Sequence, residues 1–352
     1  MKQKIGIIFT GGTIGSVYGT GKAPLTTDQR ANSGILSYLI RKFGDKTDFL
    51  AFSPTQMSSE NIRAANLQAI ADCVTSCLTQ HPSGIIVTHG TDTLCFSAAL
   101  FSQLFCDIPF PLVFVSALYP MDDGRSNACS NLDAAVIFIL QSHLPGVFVA
   151  NRNLTDTGTQ IILASRLSDC SPFTGDFTSV SGTPYGRIEN GQFIPSGNTG
   201  NPSLEELRKT RTKSPFRIEK LCEDILCIRT QAMQDYRYLL PEKIRPKATV
   251  IELYHSGTLC NAGDKESTVI FIERCISLGI PVVLAPADSE ANIYESSKDL
   301  QTLGIVAYNM SFCMARVKTM LAIGCGVDLK NALESDYFFE HVQNNNSTSK
   351  IE

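Results

Sequence analysis

Short apolar runs alternate with segments of helical periodicity over residues 61–150, and this alternation constrains the fold of the 352-residue chain more than any other feature. Apolar residues recur at helical spacing between Asn61 and Thr79, which predicts a helix. The other predicted elements of this region are strands at 85–88, 111–115 and 146–150 and helices at 93–105 and 131–140. Strands joined through helices run parallel and connect by right-handed crossovers. The sequence therefore predicts an α/β fold on a parallel sheet.

A polar stretch separates the α/β pattern described above from a second one nearer the C-terminus. Residues 196–214 are rich in Asn, Gly, Pro and Ser and then charged, which is typical of a linker. A second alternation of strands and helices begins near Ile225. We predict an N-terminal domain over 1–195, a smaller C-terminal α/β domain over 215–342, and a disordered tail over 343–352.

Composition argues against several classes of function. The net charge of −4 gives no support for binding to nucleic acid or to a membrane surface. No apolar stretch approaches the ~20 residues of a membrane span, and the run 5–9 is shorter than a signal-peptide core. The twelve cysteines are scattered and form no CxxC motif, which indicates reduced, mostly buried thiols in a cytoplasmic protein without a metal site or cofactor.

Two glycine-rich turns directly follow predicted strands. The turn 10–15 reads TGGTIG after the strand 5–9, and the turn 89–93 reads HGTDT after the strand 85–88. Ligands of open α/β sheets bind beyond the carboxyl ends of strands, and glycine allows the backbone to approach them closely. TGGTIG matches neither phosphate-binding fingerprint, so nucleotide binding is disfavoured. A purely structural turn remains an alternative for the first motif, and His89 can be catalytic or structural.

The two turns together bring threonine hydroxyls, a carboxylate and backbone amides to neighbouring strand ends. A threonine hydroxyl becomes a nucleophile when a base or a positioned network activates it, and nearby amides can hold an oxyanion. TGGTIG followed by HGTDT resembles the bacterial-type L-asparaginases, amidohydrolases that convert asparagine to aspartate and ammonia. The segments 58–60 and 125–132 are also similar to motifs of that family. The start and length of the chain are most similar to the cytoplasmic type I branch.

The resemblance implies a two-domain asparaginase-type fold, a small amino-acid-like substrate and a homodimer or homotetramer. It implies that Thr13 is the nucleophile, Thr91 the second active threonine, and Asp92 the partner of the substrate ammonium and of a catalytic lysine. The residues that it places around the substrate are Ser58 and Ser59 at the α-carboxylate, and Gly12, Gly90 and Ser116 mainly through their backbone.

The catalytic lysine of the family is absent from this chain. The spacing places its position on or near Ile162, and there is no lysine between Lys46 and Lys209. We expect apolar side chains of 161–163 to fill the space and Asp92, taken to be buried, to find another partner.

The loop after the first turn also departs from the family. Type I enzymes carry Gly-Tyr-x-Pro there, whereas this chain reads GKAP at 21–24, so Lys22 stands in place of the tyrosine. Lys22 is either a catalytic cation that compensates for the lost lysine or a solvated loop residue. Tyr18 is an alternative to the missing tyrosine. Asp288 and Glu290 lie near where some members contribute a carboxylate to a neighbouring subunit.

Three functions remain open from the sequence. The first is a threonine-dependent amidohydrolase acting on a small amino-acid-type amide, with altered substrate or chemistry because the lysine is missing. The second is a non-catalytic amino-acid-binding protein, and the third is a repurposed acyl-transfer or deamidating enzyme. In each case we expect ordinary asparagine hydrolysis to be weak or absent.

Overall fold

The structure is a computed structural model that describes residues 2–18, 26–27, 29–239, 244–289, 294–295 and 298–342. The chain divides into two compact units, Met1–Ser214 and Pro215–Glu352. The predicted linker 196–214 lies within the first unit and contains a short helix. The predicted tail 343–352 lies outside the described residues.

The first unit is built on an eight-stranded sheet. Its elements are β1 Gln3–Ile8, β2 Ser16–Val17, β3 Thr26–Thr27, α1 Gln29–Phe43, β4 Thr47–Phe52, α2 Ala64–Leu78, β5 Gly84–Thr88, α3 Leu94–Leu104, β6 Pro111–Val115, α4 Ala128–Ser142, β7 Gly146–Asn151, β8 Thr159–Leu163, β9 Gly186–Glu189, β10 Gln192–Pro195 and α5 Leu204–Arg208. The strand order in the sheet is β10-β9-β8-β7-β6-β5-β1-β4. β2 and β3 form a separate antiparallel pair.

The sheet is mixed and not wholly parallel. β4, β1, β5, β6 and β7 run parallel, as predicted. β8, β9 and β10 are antiparallel additions at one edge, which the sequence analysis missed. Antiparallel strands can expose one face to solvent, so they do not need the continuous apolar runs that mark buried parallel strands. β9 alternates buried and partly exposed residues in this way.

Helices cover both faces of the parallel part of this sheet. The ring of Phe101 on α3 lies 5.4 Å from that of Phe114 on β6. The ring of Phe138 on α4 lies 4.8 Å from that of Phe148 on β7. The register pairs Phe114 with Val149, the neighbour of Phe148, so the two strand phenylalanines point to opposite faces. α3 and α4 therefore pack on opposite faces, and the strands between them are fully buried.

The second unit is a smaller α/β unit, as predicted. Its elements are β11 Ile225–Ile228, β12 Ala248–Glu252, α6 Thr268–Ser277, β13 Val282–Ala287, α7 Lys298–Leu303, β14 Ile305–Tyr308, α8 Phe312–Cys325 and α9 Leu329–Glu334. The four strands form a parallel sheet in the order β11-β12-β13-β14. In the part of the chain that the structure describes, no helix has the length and apolar character that crossing a membrane requires.

Candidate active site

Two backbone hydrogen bonds to Met57 fix the first glycine-rich turn at the carboxyl end of β1. Gly11 and Gly12 have φ of 99° and 74°, in the left-handed region that glycine adopts most easily. The Gly12 amide donates to the Met57 carbonyl oxygen (2.9 Å), and the Met57 amide donates to the Thr10 carbonyl oxygen (3.0 Å). The turn therefore leads Thr13 into a single turn of 3-10 helix just beyond the strand.

The two predicted turns meet through their glycines. A Cβ on Gly12 would lie only 2.4 Å from the amide nitrogen of Gly90. A Cβ on Gly90 would lie 2.4 Å from Oγ of Ser59. The Thr93 hydroxyl donates to the Ser59 carbonyl oxygen (3.0 Å). The predicted convergence of the TGGTIG turn, the 57–60 segment and the HGTDT turn is therefore confirmed.

The predicted site residues differ in their access to solvent. Thr13 and Thr91 are half-buried, and Ser59 is buried. Ser58 is exposed. Asp92 is also exposed, so the expectation that it is buried is wrong. A solvated carboxylate needs no compensating partner in the protein, and the absence of a lysine therefore carries no burial penalty at Asp92.

The side chain of Asn131 ties together the ends of two central strands. Its Nδ2 donates to the carbonyl oxygen of Ser116 after β6 (2.9 Å). Its Oδ1 accepts from the amide of Arg152 after β7 (2.8 Å). Ser116 and Asn131 are both fully buried. No role was predicted for Asn131 from the sequence, because Ser130 and Asp133 beside it make a polar residue at this end of the helix unexceptional.

Hydrocarbon occupies the position, on or near Ile162, at which the resemblance predicts the catalytic lysine. Ile162 on β8 pairs with Val149 of β7, and the side chains of 161–163 are buried. Arg166 follows shortly after as a buried cation that the sequence analysis did not single out. Its Nη1 donates to the carbonyl oxygen of Gly200 (2.6 Å).

The thiol of Cys170 lies close enough to Asp92 for the carboxylate to influence its pKa. Burial, followed by the nearby carboxylates with Asp92 first among them, raises the pKa of Cys170 to about 11. The thiol is therefore protonated near neutral pH and supplies no thiolate.

His89 is fully buried beneath the second turn. Its Nδ1 lies 2.8 Å from the Gly90 carbonyl oxygen. A carbonyl oxygen only accepts, so Nδ1 carries the proton in this contact. Burial lowers the pKa of His89 to about 4, and the imidazole is neutral at physiological pH. The structural interpretation of His89 is favoured over direct catalysis, because a fully buried ring has no access to a substrate.

The loop residue Lys22 lies outside the described residues, and so does Glu290. Tyr18 is described, and its hydroxyl donates to the carboxylate of Asp123 (2.6 Å), which also pairs with Arg125 (2.8 Å). The hydrogen bond to Asp123 raises the pKa of Tyr18, so its phenol is protonated.

Metal chemistry has no obvious location in the part of the chain that the structure describes. No group of three or more His, Cys, Asp or Glu side chains there could hold a metal ion. None of the twelve cysteines, all of which lie in the described part of the chain, forms a disulfide. Five of them are buried and one, Cys260, is exposed, so the expectation that they are mostly buried holds only in part.

The family model "Asparaginase, N-terminal" matches residues 4–196, more than half of the chain and the whole region that forms this site. The chain belongs to the asparaginase family. A glutamyl-tRNA(Gln) amidotransferase subunit of Methanosarcina mazei is 30% identical over 53% of this chain and 43% of its own length. An L-asparaginase of Thermococcus kodakarensis is 30% identical over 38% of this chain and 42% of its own length. The matched region is thus less than half of these relatives.

A longer alignment and two solved structures agree with this membership. The glutamyl-tRNA(Gln) amidotransferase subunit of Haloquadratum walsbyi is 24% identical over 94% of this chain and 73% of its own length. The thermostable L-asparaginase from Thermococcus kodakarensis superposes with a TM-score of 0.79 at 20% identity, over 97% of this chain and all of that one. A probable cytoplasmic L-asparaginase from Campylobacter jejuni gives 0.72 at 20% identity with the same coverage. These structures support the two-domain asparaginase fold.

Proposed function

We propose that this chain is an asparaginase-like amidohydrolase that acts on a small amino-acid-type amide with Thr13 as its nucleophile. The observation that supports this best is the direct contact between Gly12 and Gly90, which brings the two threonine-bearing turns together at one sheet edge. The Thr13 hydroxyl would form an ester with the acyl group, and the amide nitrogen would leave as ammonia after gaining a proton. Water would then cleave the ester.

The surroundings of the turns suit an amino-acid head group. Asp92, exposed at the rim, offers a carboxylate for an ammonium group. Ser58 offers an exposed hydroxyl for a carboxylate, and Thr91 lies in the turn that contacts Gly12. Backbone amides at the two turns supply donors for the developing oxyanion.

The chemistry is proposed to differ from ordinary asparagine hydrolysis. The lysine position carries buried hydrocarbon, so no ammonium activates Thr91 from β8. Loss of one proton-transfer group commonly costs about 10²–10⁴ in rate. We propose that Lys22 supplies the replacement charge when substrate is bound. In that case Lys22→Met abolishes turnover of the true substrate and leaves the fold intact, whereas full activity of this variant makes Lys22 a solvated residue.

Comparison of binding with turnover tests the proposal. Thr13→Ala is expected to abolish amide turnover, measured as ammonia release, while ligand binding by calorimetry persists. Thr79→Ala, which removes an exposed hydroxyl at the end of α2, is the control and should change neither. Asparagine hydrolysis by the wild type at about 10 s⁻¹, a common enzyme rate, would contradict the altered chemistry. Binding without turnover of any amide would favour the non-catalytic alternative.

A second candidate is an amidase component that works with another protein. The relatives from Methanosarcina mazei and Haloquadratum walsbyi are named as amidotransferase subunits, and their similarity covers the site-bearing unit. Homo-oligomerisation as a dimer or tetramer is part of the first proposal. Light scattering together with an amidase assay on the purified chain distinguishes the two candidates. An active dimer or tetramer favours the first candidate, and a monomer without amidase activity favours the second.

A further inference from the structure

Four buried polar atoms near the second turn have no hydrogen-bond partner among the described residues. They are Nε2 of His89 and the hydroxyl oxygens of Ser97, Ser116 and Ser165. None of these residues is more than 2% exposed. An unpartnered buried polar group is costly, and native proteins normally satisfy such groups with protein atoms or ordered water. Four of them together therefore need an explanation.

Two of the four residues stand opposite each other on neighbouring strands. The parallel register of β5 and β6 pairs Thr88 with Val115, so His89 comes opposite Ser116 at the next position. The His89 amide donates to the Val115 carbonyl oxygen (2.8 Å), which extends the pairing beyond the strands. The imidazole lies 6.0 Å from the ring of Phe114, on the face to which Ser116 also points.

Helix α3 brings the third hydroxyl to the same level. Phe101 of α3 contacts Phe114, and Ser97 lies four residues earlier on the same side of the helix. From Phe101 back to Ser97 the helix spans about 6 Å along its axis. From Phe114 to Ser116 the strand spans about 6.6 Å. Both distances run toward the carboxyl edge of the sheet. α3 starts at the carboxyl edge and runs back along the sheet, so Ser97 lies at the level of His89 and Ser116 on the face of the sheet that α3 covers.

The fourth hydroxyl comes from the turn after β8. Ser165 lies in a 3-10 turn, Ala164–Arg166, that packs against α3. The Cys95 thiol donates to the Leu167 carbonyl oxygen (3.1 Å), which holds this segment beside the amino end of α3.

We propose that these four polar atoms line one enclosed space under the HGTDT turn, that the space holds one or two water molecules, and that the bound water makes His89 a positioning residue for the Gly90–Thr91 peptide. A buried water makes about three hydrogen bonds. Nε2 of His89 is an acceptor, because Nδ1 carries the proton, and each serine can donate or accept. None of the four polar groups is charged, so a neutral donor and acceptor such as water suits them better than an ion.

The positioning role follows from the peptide geometry. Nδ1–H of His89 donates to the Gly90 carbonyl, which belongs to the peptide that joins Gly90 to Thr91. In a trans peptide the C=O and N–H point in opposite directions, so this bond turns the Thr91 amide away from the buried water. Water at Nε2 maintains the tautomer that makes this bond. The catalytic consequence rests on the function proposed above, whereas the water site does not.

Nitrogen NMR on the histidine-labelled protein tests the water site without any activity measurement. The chain has five histidines, and His89→Asn, which retains a donor near the Nδ1 position, identifies the His89 signals. We expect a neutral ring with the proton on Nδ1 throughout pH 5–8. A proton on Nε2, or titration near pH 6.5, would overturn the proposal. If His89→Asn fails to fold, replacement of the other four histidines one at a time assigns the His89 signals by elimination.

The serines give the sharper comparison. Ser97→Ala combined with Ser165→Ala removes two partners of the water and is expected to shift the Nε2 resonance. Ser102→Ala on the same helix is the matched control, because its buried hydroxyl already donates to the Ala99 carbonyl oxygen (2.7 Å), and it should leave the resonance unchanged. A high-resolution crystal structure should show water within hydrogen-bond distance of Nε2. A dry space would overturn the proposal.

Kinetics separates the positioning role from the amidohydrolase assignment. With an amide that the wild type turns over, the double serine variant should lower kcat about tenfold or more and change KM little, because a misplaced peptide weakens transition-state contacts. An unchanged kcat with a shifted resonance would overturn the positioning role. A wild type that hydrolyses no amide overturns the proposed function, and the water site is then decided by NMR and crystallography alone.

Discussion

Gly12 and Gly191 have nearly the same positive φ but different surroundings. Their φ values are 74° and 75°, and Gly12 combines its φ with a ψ of −179°, a conformation that is essentially restricted to glycine. A Cβ on Gly191 would meet nothing within 4 Å, whereas one on Gly12 would meet the Gly90 backbone at 2.4 Å. A side chain at Gly191 therefore meets only the cost of a positive φ, whereas one at Gly12 also meets a steric clash and a backbone conformation that disfavours it.

Alanine at these two glycines should have unequal effects. Gly191→Ala is expected to lower the free energy of unfolding by about 1 kcal/mol, the cost of placing a Cβ residue in the left-handed region. Gly12→Ala adds a clash between two backbones and should cost about 1–3 kcal/mol more, with loss of any amide turnover. Denaturant titration of both variants measures the difference. Equal destabilisation would show that the two turns do not meet at Gly12 and Gly90.

Single residues show where the sequence was a sufficient guide. The contact between TGGTIG and HGTDT was predictable from the sequence, because short glycine turns at the carboxyl ends of parallel strands lie at the same edge of the sheet. The exposure of Asp92 was not predictable, since it depends on how the turn joins α3. The buried state of His89 was equally undetermined, because the sequence does not say which helix covers that face.

At the scale of elements, two asparagines connect the loop ends of β6 and β7 in similar ways. Asn131 bonds the Ser116 carbonyl and the Arg152 amide while fully buried. Asn127 bonds the Leu118 amide (3.1 Å) and the Arg152 carbonyl (2.9 Å) in a partly exposed position. Water can replace the second set of bonds but not the first.

Leucine at each asparagine tests how far burial determines the cost. Asn131→Leu leaves the buried Ser116 carbonyl and the part-buried Arg152 amide without their partner and should destabilise by about 2–5 kcal/mol. Asn127→Leu is the matched control, with an expected loss of about 1 kcal/mol or less because solvent takes over its bonds. Thermal and denaturant unfolding provide the comparison. Equal losses of stability in the two variants would show that burial does not determine the cost.

Central elements were predictable, and edge elements were not. The apolar runs of β5, β6 and β7 and the helical periodicity of α2 and α3 lie within a few residues of their predicted bounds. β9 and β10 were missed because these partly exposed strands lack such runs. β8 is buried, but it was missed because its apolar run 161–163 is short and follows a polar stretch. α1 and β4 were missed as well, and β4 is the strand at the opposite edge of the sheet.

At the scale of the whole molecule, a buried ion pair marks the second unit. Lys318 on α8 and Glu340 after α9 are both fully buried, with Nζ and Oε1 2.6 Å apart. Glu340 also accepts from the amides of Tyr337 (3.0 Å) and Phe338 (2.7 Å). Burial would raise the pKa of Glu340, but the Lys318 ammonium and the other hydrogen bonds to the carboxylate together more than offset this, and the pKa is lowered. The pair thereby fastens the segment 335–341 to α8.

Removal of one partner should destabilise the second unit selectively. Lys318→Met leaves a buried carboxylate without its cation and should cost about 3–5 kcal/mol. Lys330→Met is the control, because Lys330 pairs with Glu334 at 3.8 Å on an exposed helix surface, where such pairs contribute about 0–1 kcal/mol.

Hydrogen exchange followed by mass spectrometry shows where that stability is lost. The contacts within each unit form a separate compact set. We therefore expect Lys318→Met to speed exchange in peptides covering 312–342 and to leave those covering 84–104, which include β5 and α3, unchanged. Lys330→Met should alter neither region. Faster exchange in both regions after Lys318→Met would mean that the two units unfold as one cooperative body, and the site would then depend on an ion pair in the other unit.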